Sequence, residues 1–218
     1  MDATPAQPVP PSVRAQVLAT EHWSLLATRS MTWSEVMSRI TIHLTVTSAS
    51  LVVLALVAQA TGFGTGFRVM AIGLAAYSLV LGTLTAARVH NASHDDAAMV
   101  LGMNRLRAAY VDLDPGIAPY LVAGTTNDRD GLMQTYLMGA RRSTFSHVVA
   151  STAMFMNAVN TMVAGTLGAL VAYAVGAGPV GTSIAGVLTA LSHLGVMVEW
   201  GRRTFGVDPP GTGAGQVP

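Results

Sequence analysis

The chain has 218 residues, 51% of them hydrophobic and 11% charged, and a net charge of +1. A soluble domain carries about 25% charged residues, so a chain this poor in charge must turn much of its surface to lipid, and it has no basic footprint for nucleic acid. Cysteine is absent, which excludes disulfides, thiolate metal sites and a cysteine nucleophile.

Residues 1–11 are proline-rich and are predicted to be a disordered tail. They show no basic n-region, and the first apolar run begins only near Ile40. No cleavable leader is therefore expected, and the first span should remain as an anchor. From Ser12, the residues Val13, Val17, Leu18, Leu25 and Leu26 share one broad helical face. This predicts an amphipathic juxtamembrane helix over 12–38. It would either lie in the membrane interface, anchored by Trp23 and Trp33, or pack on the cytosolic part of the chain. Thr32-Trp33-Ser34-Glu35 has the form of a capping box that would start the next helix.

Residues 39–88 are predicted to be a first transmembrane hairpin. Span one covers Ile40–Ala60, the glycine-rich run Thr61 to Gly66 turns the chain, and span two covers Val69–Ala87 between Arg68 and Arg88. Residues 89–142 hold most of the remaining polar sequence and are predicted to be a small helical cytosolic segment. Ser93 can cap a helix with Asp95 and Asp96 in its first turn. Met99, Met103, Leu106, Tyr110 and Leu113 follow at spacings of four and three. They form a seam suited to packing within the chain or to self-association. Asp114-Pro115-Gly116 ends that helix. Thr126 or Asn127 can cap another, with Asp128 and Asp130 in its first turn; it is expected to bend at Gly139 and run through Arg141-Arg142 into span three.

Residues 143–201 are predicted to be a second hairpin. From Ser143 to Val198 there are 56 residues without Asp, Glu, Lys or Arg. A single helix of that length would be roughly 84 Å, nearly three hydrocarbon thicknesses. Gly176-Ala177-Gly178-Pro179 is where it must break, giving spans over Val148–Val175 and Val180–Val198. Residues 202–218 are predicted to be a disordered tail.

The fold class is thus an all-α membrane protein with four transmembrane helices in two hairpins. Eleven of the twelve basic residues, all arginines, fall on the side of the termini and the central segment, and only Arg68 on the other. Basic residues of short loops stay inside, so both termini are expected in the cytoplasm. An all-arginine, alanine- and glycine-rich composition suggests a bacterial inner membrane.

Small residues recur every four positions in the spans: Ser78, Gly82 and Ala86; Ala164, Gly168, Ala172 and Gly176. Such stripes let helix backbones approach. Polar side chains inside spans are costly and point to function. On span three these are Asn157, Asn160 and Thr161, and on span one His43 and Thr47. They mark either interhelical hydrogen bonds or a polar path. His43, His147 and His193, together with His90 and His94 four apart, are the residues that could hold haem b or a metal. Each of these signals is weak, because histidines near span ends commonly snorkel, and no cofactor is required by the sequence. Thr126 to Gly131 imitates part of a calcium loop, but Leu137 stands where its last carboxylate ligand belongs. The signatures of common hydrolases and NTPases are missing.

Two classes of function follow. The first is a non-enzymatic scaffold, regulatory protein or oligomeric effector, with the lipid bilayer, a second copy, or a membrane or cytosolic protein as partner. The second is a small channel or transporter with a path lined by Asn, Thr and His. A haem or metal redox protein is a weaker third.

Overall fold

A computed structural model describes residues 9–138 and 151–205 of the chain. Among these there is no strand. The helices are α1 (Pro11–Thr61), α2 (Thr65–Leu113), α3 (Arg129–Leu137), α4 (Thr152–Ala174) and α5 (Pro179–Phe205), with a 3-10 segment at Pro115–Tyr120. Four of them, α1, α2, α4 and α5, are long and apolar enough to cross a membrane.

The largest departure from the sequence reading is continuity. The juxtamembrane helix and span one are one helix of 51 residues. No glycine or proline lies between Ser12 and Thr61, so nothing breaks the backbone hydrogen-bond ladder. Thr32 therefore caps nothing, and the Glu35 carboxylate is engaged by Arg39 and Arg88 instead. In the same way α2 runs through Ser93 for 49 residues, so Ser93 is not a helix start and Asp95 and Asp96 do not sit in a first turn.

The breaks that do occur have local causes. Gly62 adopts φ +67° just past α1, the left-handed residue that commonly ends helices. At the end of α2, Asp114 is extended and accepts a hydrogen bond from Gly116 N, with Pro115 opening the 3-10 segment. Asp128, rather than Thr126 or Asn127, caps α3 by accepting from Gly131 N at 2.8 Å. Helix α3 then stops: Met138 is left-handed at φ 45° and its N–H bonds to Gln134 O. The expected run from α3 into span three is therefore interrupted at Met138. Gly139, Arg141, Arg142 and His147 lie outside the described residues. Ser151 caps α4, which starts later than Val148. Gly176, at φ +91°, turns the chain before Pro179 opens α5. Helix α5 carries Arg202 and Arg203 in its last turn, where positive charge suits the helix dipole, so the tail begins beyond them.

Two compact units share these helices. One comprises, among described residues, 9–33 and 93–138; the other comprises 34–92 and 151–205. In the first, Val100, Leu101, Met103 and Asn104 form the buried centre. Trp33 does not behave as an interfacial anchor there, because its Nε1 donates to the buried Asp96 carboxylate at 2.8 Å. Trp23 is left 71% exposed. In the second unit, Val36, Ile40, Ala71, Ala86, Val89, Met156 and Ala164 are buried, while large apolar side chains such as Leu51, Leu84, Met162 and Leu188 point outward. An apolar exterior over helices of this length suits lipid and not water.

Candidate functional site

In the second unit, buried stripes of three helices meet. On α1 the buried positions are Val36, Ile40, His43 and Ser50. Their spacing of three, four and seven keeps them on one side of the helix. On α2 they include Ser78, Thr85, Ala86 and Val89, and on α4 Met156, Asn160 and Ala164. Gly82 is the point of closest approach. A Cβ placed there would collide with Asn160 Oδ1 and would stand 2.7 Å from His43 Cε1. The glycine thus admits both polar side chains to the space beside α2.

His43 and Asn160 are each 0% exposed. Neither ring nitrogen of His43, and neither amide atom of Asn160, has a hydrogen-bond partner among the described residues. An unpaired buried polar group costs about 1–3 kcal/mol in a protein interior and more in hydrocarbon. Four such atoms gathered at one glycine are an expensive arrangement. Nearby hydroxyls are committed locally: Thr47 donates to His43 O at 2.9 Å and approaches Ser78 Oγ at 3.5 Å. On α4 and α5, Thr161 Oγ1 lies 3.3 Å from His193 Nδ1, and His193 Nε2 is buried without a partner. Asn157 is only half-buried.

Of the residues singled out as polar-path candidates, then, His43 and Asn160 come together, Thr161 pairs with His193, and Thr47 meets Ser78. Among the small residues, Ser78, Gly82, Ala86 and Ala164 are buried, as a packing stripe requires. Gly168 packs on Thr189 and on the carbonyl of Ala185, and Ala172 is half-buried. Gly176 does not pack. A Cβ there would meet nothing within 4 Å, and its role is the turn. The sequence reading overlooked the neighbouring pair Gly165 and Gly186, where a Cβ on either would lie 3.1 Å from the other's carbonyl oxygen. Gly165 stands one residue off the four-step stripe, which is why periodicity passed it over.

The rims of this unit carry its ion pairs. Glu35 is held by Arg88 at 2.7 Å and Arg39 at 2.8 Å, and these contacts keep its carboxyl below the ordinary value. Arg68 lies over the Tyr173 ring at 5.7 Å. The His90 ring packs on Trp200, with centroids 4.7 Å apart. Among the described residues no three His, Cys, Asp or Glu side chains are grouped as metal ligands.

The first unit has two polar centres that sequence reasoning missed. Asp96 accepts from Arg29 Nε at 2.5 Å, from Trp33 Nε1 at 2.8 Å and from Tyr136 Oη at 2.7 Å. Burial alone would raise its carboxyl, but the three donors outweigh burial and hold it below its ordinary value. Burial and the bond to Asp96 push the Tyr136 hydroxyl well up. Asn104 is the second centre. Its Nδ2 donates to Thr126 O at 3.1 Å, and its Oδ1 accepts from Arg107 and Thr135. Thr135 Oγ1 in turn accepts from Gly124 N. No buried side-chain polar atom of these centres lacks a partner, so they read as structural knots. The seam residues divide accordingly. Met103 is buried and Tyr110 stacks on His22 at 6.0 Å, whereas Met99, Leu106 and Leu113 are half-buried.

No family model, no curated protein and no solved structure matches the chain.

Proposed function

We propose that the protein is a multi-pass protein of a bacterial inner membrane, with its second unit in the bilayer as two hairpins and its first unit in the cytoplasm, and that it passes a small hydrogen-bonding solute at the His43–Asn160 cluster. The observation that carries this reading is the set of four buried, unpaired polar atoms on two helices within an apolar-faced unit. Polar groups so placed mark substrate or ion routes in membrane proteins. The groups that meet at Gly82 are an imidazole and an amide. They suit a proton or a small neutral polyol and give no counter-charge for a bare metal ion.

Purified protein in liposomes tests it with two probes: protons, followed by a trapped pH-sensitive dye, and glycerol, followed by light scattering. Wild type should exceed protein-free liposomes for at least one probe. The double variant His43→Leu, Asn160→Leu should lose about tenfold or more of that flux. It should also fold, since replacing unpaired polar groups by apolar ones of similar size is near neutral. Wild-type flux no greater than that of empty liposomes would overturn the proposal, and so would a folded double variant with full flux.

The scaffold or oligomeric-effector reading keeps one supporting observation of its own, an apolar hollow on the first unit. It bears on assembly rather than on flux.

A further inference from the structure

The hollow lies between the parts of α1 and α2 that belong to the first unit, and holds about 400 Å³. Glu21 and Leu25 line it from α1; Met99, Gly102, Arg105 and Leu106 line it from α2. Its floor is a close helix approach: a Cβ on Gly102 would stand 3.2 Å from Leu25 Cδ1. Above the floor, Leu25, Met99 and Leu106 offer half-buried apolar surface. Met99 and Leu106 are one heptad apart on the same side of α2.

The walls carry opposite charges. Glu21 is exposed on the α1 wall and Arg105 is exposed on the α2 wall. Among the described residues neither side chain makes a hydrogen bond or ion pair, even though Asp96 and Glu35 in the same chain collect arginines from distant positions. An acid on one wall and a base on the other is a self-complementary pattern. A two-fold axis running along the helices sets α1 of one copy against α2 of the next at the same height. In such an isologous contact each residue pair occurs twice.

We infer that this hollow docks a second copy of the chain, with Glu21 of each copy paired to Arg105 of the other and Leu25, Met99 and Leu106 covered between them. The inference rests on the first unit alone and stands or falls independently of the polar cluster. It also narrows the sequence-predicted seam, because Met103 and Tyr110 are already engaged within their own copy.

The test is a charge swap in the full-length protein. Mass in detergent is measured by light scattering across a dilution series for wild type, Glu21→Arg, Arg105→Glu and the double variant. Each single reversal turns two attractive pairs per dimer into two repulsive ones and should weaken dimerisation by about tenfold or more. The double variant restores opposite charges and should recover dimerisation to within about threefold of wild type. Both side chains are exposed, and unchanged circular dichroism will establish that the variants fold. A wild type that stays monomeric throughout overturns the inference and leaves the hollow to a different partner. Single reversals without effect, or a double variant that fails to recover, overturn it as well, by placing any dimer contact elsewhere.

Discussion

At Asp96 one carboxylate takes up an arginine, a tryptophan and a tyrosine that lie 67, 63 and 40 positions away in the chain. Removing its charge by Asp96→Asn leaves Arg29 without a counter-ion, and should cost about 3 kcal/mol of stability by denaturant titration. The same carboxylate sets an acid limit. Its folded pKa lies below its ordinary value, so its stabilisation is complete above about pH 4 and is lost as pH falls through the lowered folded value. The Asn variant should lose that part of the acid-unfolding slope. Nothing local announces this role. Asp95 and Asp96 are adjacent and follow a plausible cap, yet Asp95 is exposed and Asp96 is buried, and the partners that bury Asp96 are brought from elsewhere by folding. Gly82 was better announced, as one of three small residues at steps of four. Gly82→Ala should cost about 1–3 kcal/mol through overpacking against Asn160 and His43.

At the scale of elements, the four apolar helices and both glycine turns were legible in the sequence, since hydrocarbon length and glycine geometry are local properties. Helix starts were less so. Thr32, Ser93 and Asp128 all have cap chemistry, but only Asp128 stands where a helix begins. The other two lie inside helices that no glycine–proline break divides, and a helix already running through a residue has no free N–H groups there to cap. A pair of substitutions makes this measurable. Asp128→Ala should destabilise the first unit by about 1 kcal/mol, because it removes the bonds to Gly131 N and Thr126 Oγ1. Thr32→Ala should stay within about 0.5 kcal/mol of wild type, and a loss as large as that of Asp128→Ala would mean that α1 starts again near Thr32.

On the scale of the whole molecule, charge is segregated. The second unit keeps its ionic side chains outside the apolar runs Ile40–Ala60 and Val69–Ala87, with Glu35, Arg39 and Arg88 in one group and Arg68 over Tyr173. Its interior retains histidine, asparagine and hydroxyl side chains, and many large apolar side chains point outward. The first unit buries an ionised carboxylate, which its arginine and hydrogen-bond donors make tolerable. This difference is what supports the proposal that the second unit lies in lipid and the first in the cytoplasm. The absence of cysteine allows a direct measurement: single cysteines at Phe63, Asn127 and Gly178, probed with a membrane-impermeant thiol reagent on intact cells and again after permeabilisation. Phe63→Cys and Gly178→Cys should label from outside, and Asn127→Cys only once the membrane is opened. Labelling of all three positions from the same side would contradict that proposal.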